Sequence, residues 1–300
     1  MSRFLAIFLL LVSPALAQVP AGPQQNPTGF ATVGDVFWMG DQVNGFVGYF
    51  QGSAQIGDQT FSIGGGPNCL PFCPVGQIAQ LNDSVAFIAS PDPKKPRPGF
   101  VVGGGLWMIQ FSGFVPPVSP LGPLTALTIS KGIANDLPDA VALGPDGKLY
   151  YGGLANPNYR RVTNPTGDPS TQQVETFGSA LNGQRIFSLA FSGSDLFSGT
   201  GDGFYLTPNA PACSGNQNNC GRPVLISGGA TFATVSDALG RVYFAQANGT
   251  VQRYDQGTIV PVASGLSFSN NRAGLGLDKQ GNLYIGEVSQ IDLITAGNLP

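Results

Sequence analysis

The chain has no histidine among its 300 residues, and this absence removes several kinds of active site at once. Without histidine there is no Ser-His-Asp or Cys-His triad, no histidine general base, and no histidine-ligated zinc, copper or haem. Glutamate occurs only at Glu175 and Glu287, so a hydrolase with paired carboxylates would depend mostly on aspartate. The aspartates lie largely in turn sequences, where they accept hydrogen bonds from backbone amides. These shortages favour a binding protein over a hydrolytic enzyme.

Long hydrophobic runs are missing except at the start of the chain. Phe4 to Val12 is apolar, Arg3 supplies a positive charge before it, and Ala15-Leu16-Ala17 is a small-x-small cleavage site. The run is shorter than the ~20 residues that a membrane-spanning helix needs. We therefore expect a signal peptide over residues 1–17, cleaved after Ala17, and a secreted or periplasmic protein without a membrane span. An uncleaved N-terminal anchor is the alternative.

Charged residues are scarce, at 10% of the chain against roughly 25% in typical soluble domains. The formal net charge of −3 becomes −4 once Arg3 is removed, and no basic stripe exists to neutralise phosphates. The sequence therefore predicts no nucleic-acid partner. Glycine (43 residues) and proline (25 residues) are plentiful, and hydrophobic residues make up 42% of the chain. Many turns with enough apolar residues for a core are typical of an exported all-β protein.

The four cysteines form two close pairs in Pro-, Gly- or Asn-rich segments. Cys69 and Cys73 are separated by LPF, and Cys213 and Cys220 flank SGNQNN. Four cysteines allow three connectivities, and an oxidising compartment favours the two local disulfides. A metal site is the alternative, but neither spacing is CxxC and no histidine assists.

The second half of the chain repeats one phrase: an apolar run, a polar turn and a second apolar run. The second run opens at Leu149, Leu196, Val242 and Leu283, which are 47, 46 and 41 residues apart. Such spacing matches the four-stranded blade of a propeller. Upstream, Leu106 and Val36 occupy similar contexts, and we interpret the 70 residues between them as one blade with insertions. Six anchors predict a six-bladed all-β propeller of four-stranded antiparallel blades.

Five or seven blades remain alternatives, because the segment near Val85 fits either neighbouring blade. A pair of β-sandwiches is a less favoured architecture, since sandwiches do not produce an evenly spaced phrase. We predict a flexible lead-in over residues 18–29 and a single propeller domain over residues 30–300.

Within each copy the residue sizes indicate where each strand lies. Small residues on the first strand predict that it is innermost, where the blades crowd the axis; they are Ala140, Ala142, Gly274 and Gly276. Aromatic residues on the second strand are expected to fill the space between neighbouring sheets; they are Tyr150, Phe197, Tyr243 and Tyr284.

The segment Asn135-Asp136-Leu137-Pro138-Asp139-AVALGPDGKLYYGG, with its echo GLGLDKQGNLYIGE, resembles blades of secreted NHL-type and SMP-30/gluconolactonase-like six-bladed propellers. The resemblance covers roughly residues 135–290. It implies a divalent metal at the axis, held by a Glu near the N-terminus together with Asn and Asp residues. The N-terminal blade offers Asp35 and Asp41 but no Glu, and Asn135-Asp136 is the candidate for the Asn-Asp element.

A functional site is expected at the mouth of the central channel, at the entrance to each inner strand. In the four copies this position holds Pro138, Arg185, Thr231 and Arg272. Arg185 and Arg272 could hold a carboxylate or sulfate with paired N–H donors. Alternatively, each pairs with Asp136 or Asp139 and stiffens the rim. The predicted ligand-binding residues are Arg185, Arg272, Asp136, Asp139 and Asn271.

The sequence thus predicts a non-catalytic binding module without a cofactor, whose partner is a protein or a small acidic or carbohydrate ligand. The alternative is a calcium-dependent lactonase or esterase-like hydrolase, since calcium requires only oxygen ligands. A propeller lyase is a third possibility, although such enzymes typically depend on histidine.

Overall fold

We describe a computed structural model of the chain, which covers residues 17–19, 27–33, 36–41, 46–51, 54–60, 76–82, 85–91, 105–111, 121–126, 137–213, 223–268, 272–288 and 290–300. Within these ranges the secondary structure is β-strand with four short 3-10 turns, at Pro169–Thr171, Leu181–Gly183, Ala210–Ala212 and Ala296–Asn298. A search of the same ranges for an apolar helix long enough to cross a bilayer finds none.

The described strands pair into six four-stranded antiparallel sheets. The first contains β2 (Pro27–Val33), β3 (Val36–Asp41), β4 (Phe46–Gln51) and β5 (Ala54–Thr60), and the second contains β6 (Ile78–Asn82), β7 (Val85–Ser90), β8 (Gly105–Phe111) and β9 (Leu121–Ala126). The third contains β10 (Pro138–Leu143), β11 (Leu149–Gly153), β12 (Asn158–Thr163) and β13 (Gln173–Ser179), and the fourth contains β14 (Ile186–Ser192), β15 (Asp195–Thr200), β16 (Gly203–Thr207) and β17 (Val224–Gly228). The fifth contains β18 (Thr231–Ser236), β19 (Val242–Gln246), β20 (Thr250–Asp255) and β21 (Thr258–Ala263), and the sixth contains β22 (Gly274–Leu277), β23 (Leu283–Gly286), β24 (Ile291–Ile294) and the N-terminal β1 (Ala17–Val19).

The first strands of the sheets surround a common axis. β2, β6, β10, β14, β18 and β22 contact one another in that order, and β22 contacts β2. An all-β propeller with four-stranded antiparallel blades is therefore confirmed, and the pair of sandwiches is not formed.

The N-terminal strand completes the sixth sheet from the other end of the chain. β1 pairs antiparallel with β24, in the register Ala17 to Leu293, Gln18 to Asp292 and Val19 to Ile291. Part of the segment 18–29 is thus strand and not lead-in, because β1 ends at Val19 and β2 already begins at Pro27.

The repeat register is correct except in the second sheet. Val36 and the four later anchors all lie on second strands, at β3, β11, β15, β19 and β23. The prediction that Leu106 is an equivalent anchor is wrong, because Leu106 lies on β8, the third strand of its sheet. Val85 opens the second strand, β7, so the interval from Val36 to Leu106 is not one blade. Residues 91–104 separate β7 from β8. This insertion changes the spacing of the repeat, so the anchor of the second sheet was placed on its third strand and not on its second.

The aromatic residues of the second strands fill the core, as predicted. Tyr150, Tyr243, Tyr284 and Phe197 are all buried. Tyr150 packs edge-on against Phe191, with ring centroids 4.8 Å apart. Edge-to-face pairs of this kind are worth about 0.5–1.5 kcal/mol beyond their buried area.

The turn between the first and second strands is held by an aspartate in three sheets. Asp278 Oδ1 accepts hydrogen bonds from the backbone N–H groups of Gln280 (3.0 Å) and Asn282 (2.9 Å). Its Oδ2 accepts one from the Tyr284 hydroxyl (3.2 Å). Asp237 makes the corresponding contacts with the backbone N–H groups of Leu239 and Arg241, and Asp146 Oδ1 accepts from the backbone N–H of Lys148 (3.3 Å). The prediction that aspartates serve the turns is confirmed at these positions.

Arg161 joins the third sheet to the segment that carries Cys213. The side chain is buried and pairs with Glu175. Its guanidinium donates to the Tyr150 hydroxyl (3.1 Å) and to the carbonyl oxygens of Pro211 (3.2 Å) and Cys213 (2.5 Å). In the part of the chain that the structure describes no cysteine is free. The two proposed pairings stay predictions, since Cys69, Cys73 and Cys220 lie outside the described residues.

Candidate functional site

A cavity opens at the end of the channel where the inner strands begin. Its lining includes Gln77, Asp139, Phe187, Ser188, Thr234 and Arg272. These residues come from the starts of β6, β10, β14, β18 and β22, so five sheets contribute. The empty space is about 300 Å³, including the part open to solvent. We call it the channel-mouth cavity.

Irregular pairing at the inner strands turns three side chains toward the axis. The register with the second strand shifts between Pro138 and Ala140, between Ile186 and Ser188, and between Thr231 and Ala233. The residues in between are Asp139, Phe187 and Phe232, and all three line the cavity. Because a β-bulge changes the direction of a side chain, the same irregularity in three sheets builds one wall of the site.

Arg272 and Asp139 form an ion pair in this cavity. Nη1 of Arg272 contacts Oδ2 of Asp139, whose side chain is almost completely buried. The guanidinium carbon lies 5.8 Å from the ring centroid of Phe187, a cation–π distance. Burial lowers the pKa of Arg272 to about 10, so the side chain is charged at pH 7. Arginine has five N–H donors, and the pair with Asp139 is made through Nη1, which leaves donors for a ligand.

The Gln77 side chain links the inner strands of three other sheets. Its Nε2 donates to the carbonyl oxygens of Leu189 (2.6 Å) and Thr234 (3.3 Å). Its Oε1 accepts from the backbone N–H groups of Val141 (3.1 Å) and Leu189 (2.8 Å). β10, β14 and β18 are therefore held together at the axis by one amide.

Two hydroxyl groups in the cavity lack a protein partner. Ser188 Oγ and Thr234 Oγ1 have no hydrogen bond within the described ranges, and the two residues are 2% and 1% exposed. A buried hydroxyl without a partner costs about 1–3 kcal/mol, so such groups are usually satisfied by water or a ligand. Because they line the same cavity as Arg272, this cavity is the candidate site.

The predicted site residues separate into three groups. Arg272 and Asp139 come together as an ion pair, one of the pairings that the sequence left open. Arg185 directly precedes β14 and is exposed, outside the cavity lining. Asp136 and Asn271 lie outside the described residues.

Sequence reasoning missed Gln77, Ser188, Thr234 and Phe187. Three of them follow the entrance positions of their strands by two or three residues, and the repeat alignment could have identified them. Gln77 carried no such signal, because the second sheet was aligned on the wrong strand.

The described channel residues do not fit the axial metal that the sequence resemblance implies. Asp139 is the one carboxylate among the cavity-lining residues, and the adjacent Arg272 would repel a divalent cation. Across the described ranges no group of three or more His, Cys, Asp or Glu side chains is arranged to hold a metal ion.

Comparison with known proteins gives structural neighbours only, since no family model and no curated protein sequence matches the chain. A gluconolactonase from Xanthomonas campestris superposes with a TM-score of 0.63 at 10% identity, over 96% of this chain and 91% of the other. Regucalcin, a calcium-binding protein from Agrobacterium tumefaciens, gives 0.61 at 14% identity, over 93% of each chain. This chain shares their fold.

A further neighbour is a catalytically inactive histidine-to-alanine variant of virginiamycin B lyase from Staphylococcus aureus, bound to quinupristin. It gives a TM-score of 0.57 at 11% identity, over 94% of this chain and 99% of the other. The suspected likeness to propellers of these groups is therefore shown at the level of the fold. Identities this low carry no site residue from these proteins to this chain.

Proposed function

We propose that the protein is an exported, non-catalytic six-bladed β-propeller that binds a small acidic or carbohydrate ligand at the channel-mouth cavity. The observation that carries this proposal is that Arg272 lines the same cavity as two buried hydroxyls without a hydrogen-bond partner among the described residues. Ser188 and Thr234 are placed to accept and donate hydrogen bonds, and Arg272 can donate to a carboxylate or carbonyl oxygen. Phe187 and Phe232 offer apolar surface for the carbon atoms of the ligand.

Export and a count of six blades are also part of the proposed function. The sixth sheet uses residues that directly follow the expected cleavage site, so removal of residues 1–17 would leave Gln18 and Val19 to complete it. Six sheets around a common axis support six blades. Local disulfides at Cys69–Cys73 and Cys213–Cys220 would suit an oxidising compartment.

A thermal-shift experiment with gluconate, glucose and glucono-1,5-lactone tests the binding proposal. We expect at least one of these probes to raise the melting temperature of the mature protein and to have little effect on Arg272→Lys, which keeps the charge but loses the planar donor fork. Lys148→Met, in the turn at the opposite end of the third sheet, is the control. Equal shifts in Arg272→Lys and the unmodified protein, or no shift with any probe, would contradict the proposal.

A calcium-dependent lactonase is the second candidate, and the gluconolactonase and regucalcin neighbours favour it. Under this hypothesis Asp and Asn oxygens at the axis would hold calcium. Calorimetry with calcium and a pH-indicator assay of lactone hydrolysis test it. A stoichiometric calcium site together with calcium-dependent hydrolysis would replace the binding proposal.

A lyase is less well supported. The lyase neighbour is described as catalytically inactive when a histidine is changed to alanine, and this chain contains no histidine.

A further inference from the structure

The sixth sheet contains two carboxyl groups that lie together in its interior. Glu287 follows β23 and Asp292 lies on β24, and the two residues are 6% and 2% exposed. Gln290 Nε2 donates to Glu287 Oε1 (2.7 Å) and to Asp292 Oδ1 (3.4 Å). The backbone N–H of Ser267 also donates to Glu287. Neither carboxyl has a cationic partner among the described residues.

This arrangement is electrostatically costly while both groups are ionised. Burial and the neighbouring Glu287 raise the pKa of Asp292 to about 7. The protonated form of Asp292 is therefore favoured, since two adjacent negative charges in a poorly solvated site repel each other. The pair is therefore placed to accept a positive charge.

The strand next to this pair contains the expected signal-peptide cleavage site. Gln18 of β1 lies directly opposite Asp292 of β24. Opposite residues of antiparallel strands have Cα atoms about 4.5–5.5 Å apart. Cleavage after Ala17 would convert the backbone nitrogen of Gln18 into an α-ammonium group on the residue directly opposite Asp292.

We propose that the Glu287–Asp292 pair is the docking site for the α-ammonium group of the mature N-terminus, so that signal-peptide cleavage supplies the missing positive charge of the sixth sheet. Hydrolysis of the Ala17–Gln18 peptide bond leaves a carboxylate on the departing peptide and the ammonium on Gln18. The ammonium then neutralises the pair and fixes β1 against β24. This inference rests on the proposed export and is independent of the ligand at the channel mouth.

The pH dependence of stability distinguishes the mature protein from one that retains Leu16 and Ala17. In the extended protein the folded-state pKa of Asp292 exceeds the ordinary value of 3.8, so the folded state holds a proton that the unfolded state has lost. Its free energy of unfolding should therefore fall as the pH rises from about 4 to about 7. In the mature protein the ammonium favours the carboxylate, and this fall should be absent.

The test measures urea unfolding of the mature and extended full-length chains, each with Asp292 and with the Asp292→Asn substitution. At pH 7 we expect the extension to lower the folding equilibrium constant about tenfold with Asp292 and about twofold or less in the Asp292→Asn background. Equal effects of the extension in both backgrounds would overturn the proposal. Mass spectrometry of the exported protein is the second arm: a terminus other than Gln18, or cyclised Gln18 without a free amine, would also overturn it. Neither result depends on ligand binding, which the thermal-shift experiment measures separately.

Discussion

Arg272 and Asp139 are the paired charges of the channel mouth, where the Asp139 side chain is buried and that of Arg272 is 15% exposed. A buried ion pair contributes little net stability, but the loss of one partner leaves an uncompensated charge in a poorly solvated site. Phe187 adds a cation–π contact that remains only while the guanidinium keeps its position. A ligand in the cavity therefore contacts an ion pair that has no net charge but still has N–H donors. It does not contact a free cation.

Changing Asp139 to Asn should strongly destabilise the protein, because Arg272 would remain buried and charged without its counter-ion. We expect the free energy of unfolding to fall by about 3–5 kcal/mol, measured by urea denaturation at pH 7. Asp255→Asn is the matched control, since its 3.8 Å contact with Arg253 is partly exposed and should cost under about 1 kcal/mol. Equal losses in the two variants would show that the buried pair has no special role.

The residue types at the site were only partly predictable from the sequence. Arg272 and Asp139 stood out as charged residues at strand entrances in a chain with few charges. Ser188 and Thr234 did not, because small hydroxyl residues are ordinary on strands and only the cavity shows that they lack partners. Arg185 and Arg272 occupy equivalent positions in the repeat, so the sequence does not show which of them enters the cavity. The local backbone at each strand entrance decides this.

The inner strands are the elements on which the site depends, and Gln77 connects three of them. Its amide satisfies two backbone N–H groups and two carbonyl oxygens at the axis. The crowding of small residues at the axis was predictable from Ala140 and Gly274. The use of a side-chain amide as a bridge was not, because no local pattern marks it.

Changing Gln77 to Leu should loosen the contact between β10, β14 and β18. The substitution leaves the N–H groups of Val141 and Leu189 without their acceptor, and each unsatisfied buried group costs about 1–3 kcal/mol. Hydrogen exchange should become faster at these two amides, while Gln80→Leu, a more exposed change in the same sheet, should leave them protected. Unchanged protection in Gln77→Leu would contradict the bridging role.

Arg161 has a similar role at the outer part of a sheet, where it holds the segment that carries Cys213. Arg161→Ala should speed exchange of the backbone amides of Ala212 and Cys213, since the hydrogen bonds from Arg161 to the carbonyl oxygens of Pro211 and Cys213 are lost. Mass-spectrometric exchange over residues 205–213 measures this effect. Arg241→Ala, which removes an arginine paired with Asp237 in a turn of the fifth sheet, is the control and should leave that segment unchanged. Slow exchange in both variants would mean that the segment is held by other contacts.

At the scale of the whole molecule, the ring of sheets brings residues that are far apart in sequence to one cavity. The repeat phrase predicted the propeller because the strand lengths, turns and aromatic positions recur with each blade. It did not predict the second sheet correctly, because the insertion between β7 and β8 interrupts the spacing. The N-terminal strand of the sixth sheet was also unpredicted, since three residues beside a cleavage site carry no strand pattern.

The measurement that tests the central claim most directly is a calorimetric titration of the mature protein with gluconate, performed in EDTA and repeated with calcium. We predict binding in EDTA that is unchanged by calcium and weakened about tenfold or more in Arg272→Lys, as expected for loss of the paired, planar N–H donors of the guanidinium. Binding that requires calcium, or that is equally strong in Arg272→Lys, would contradict a metal-independent ligand site at the channel mouth.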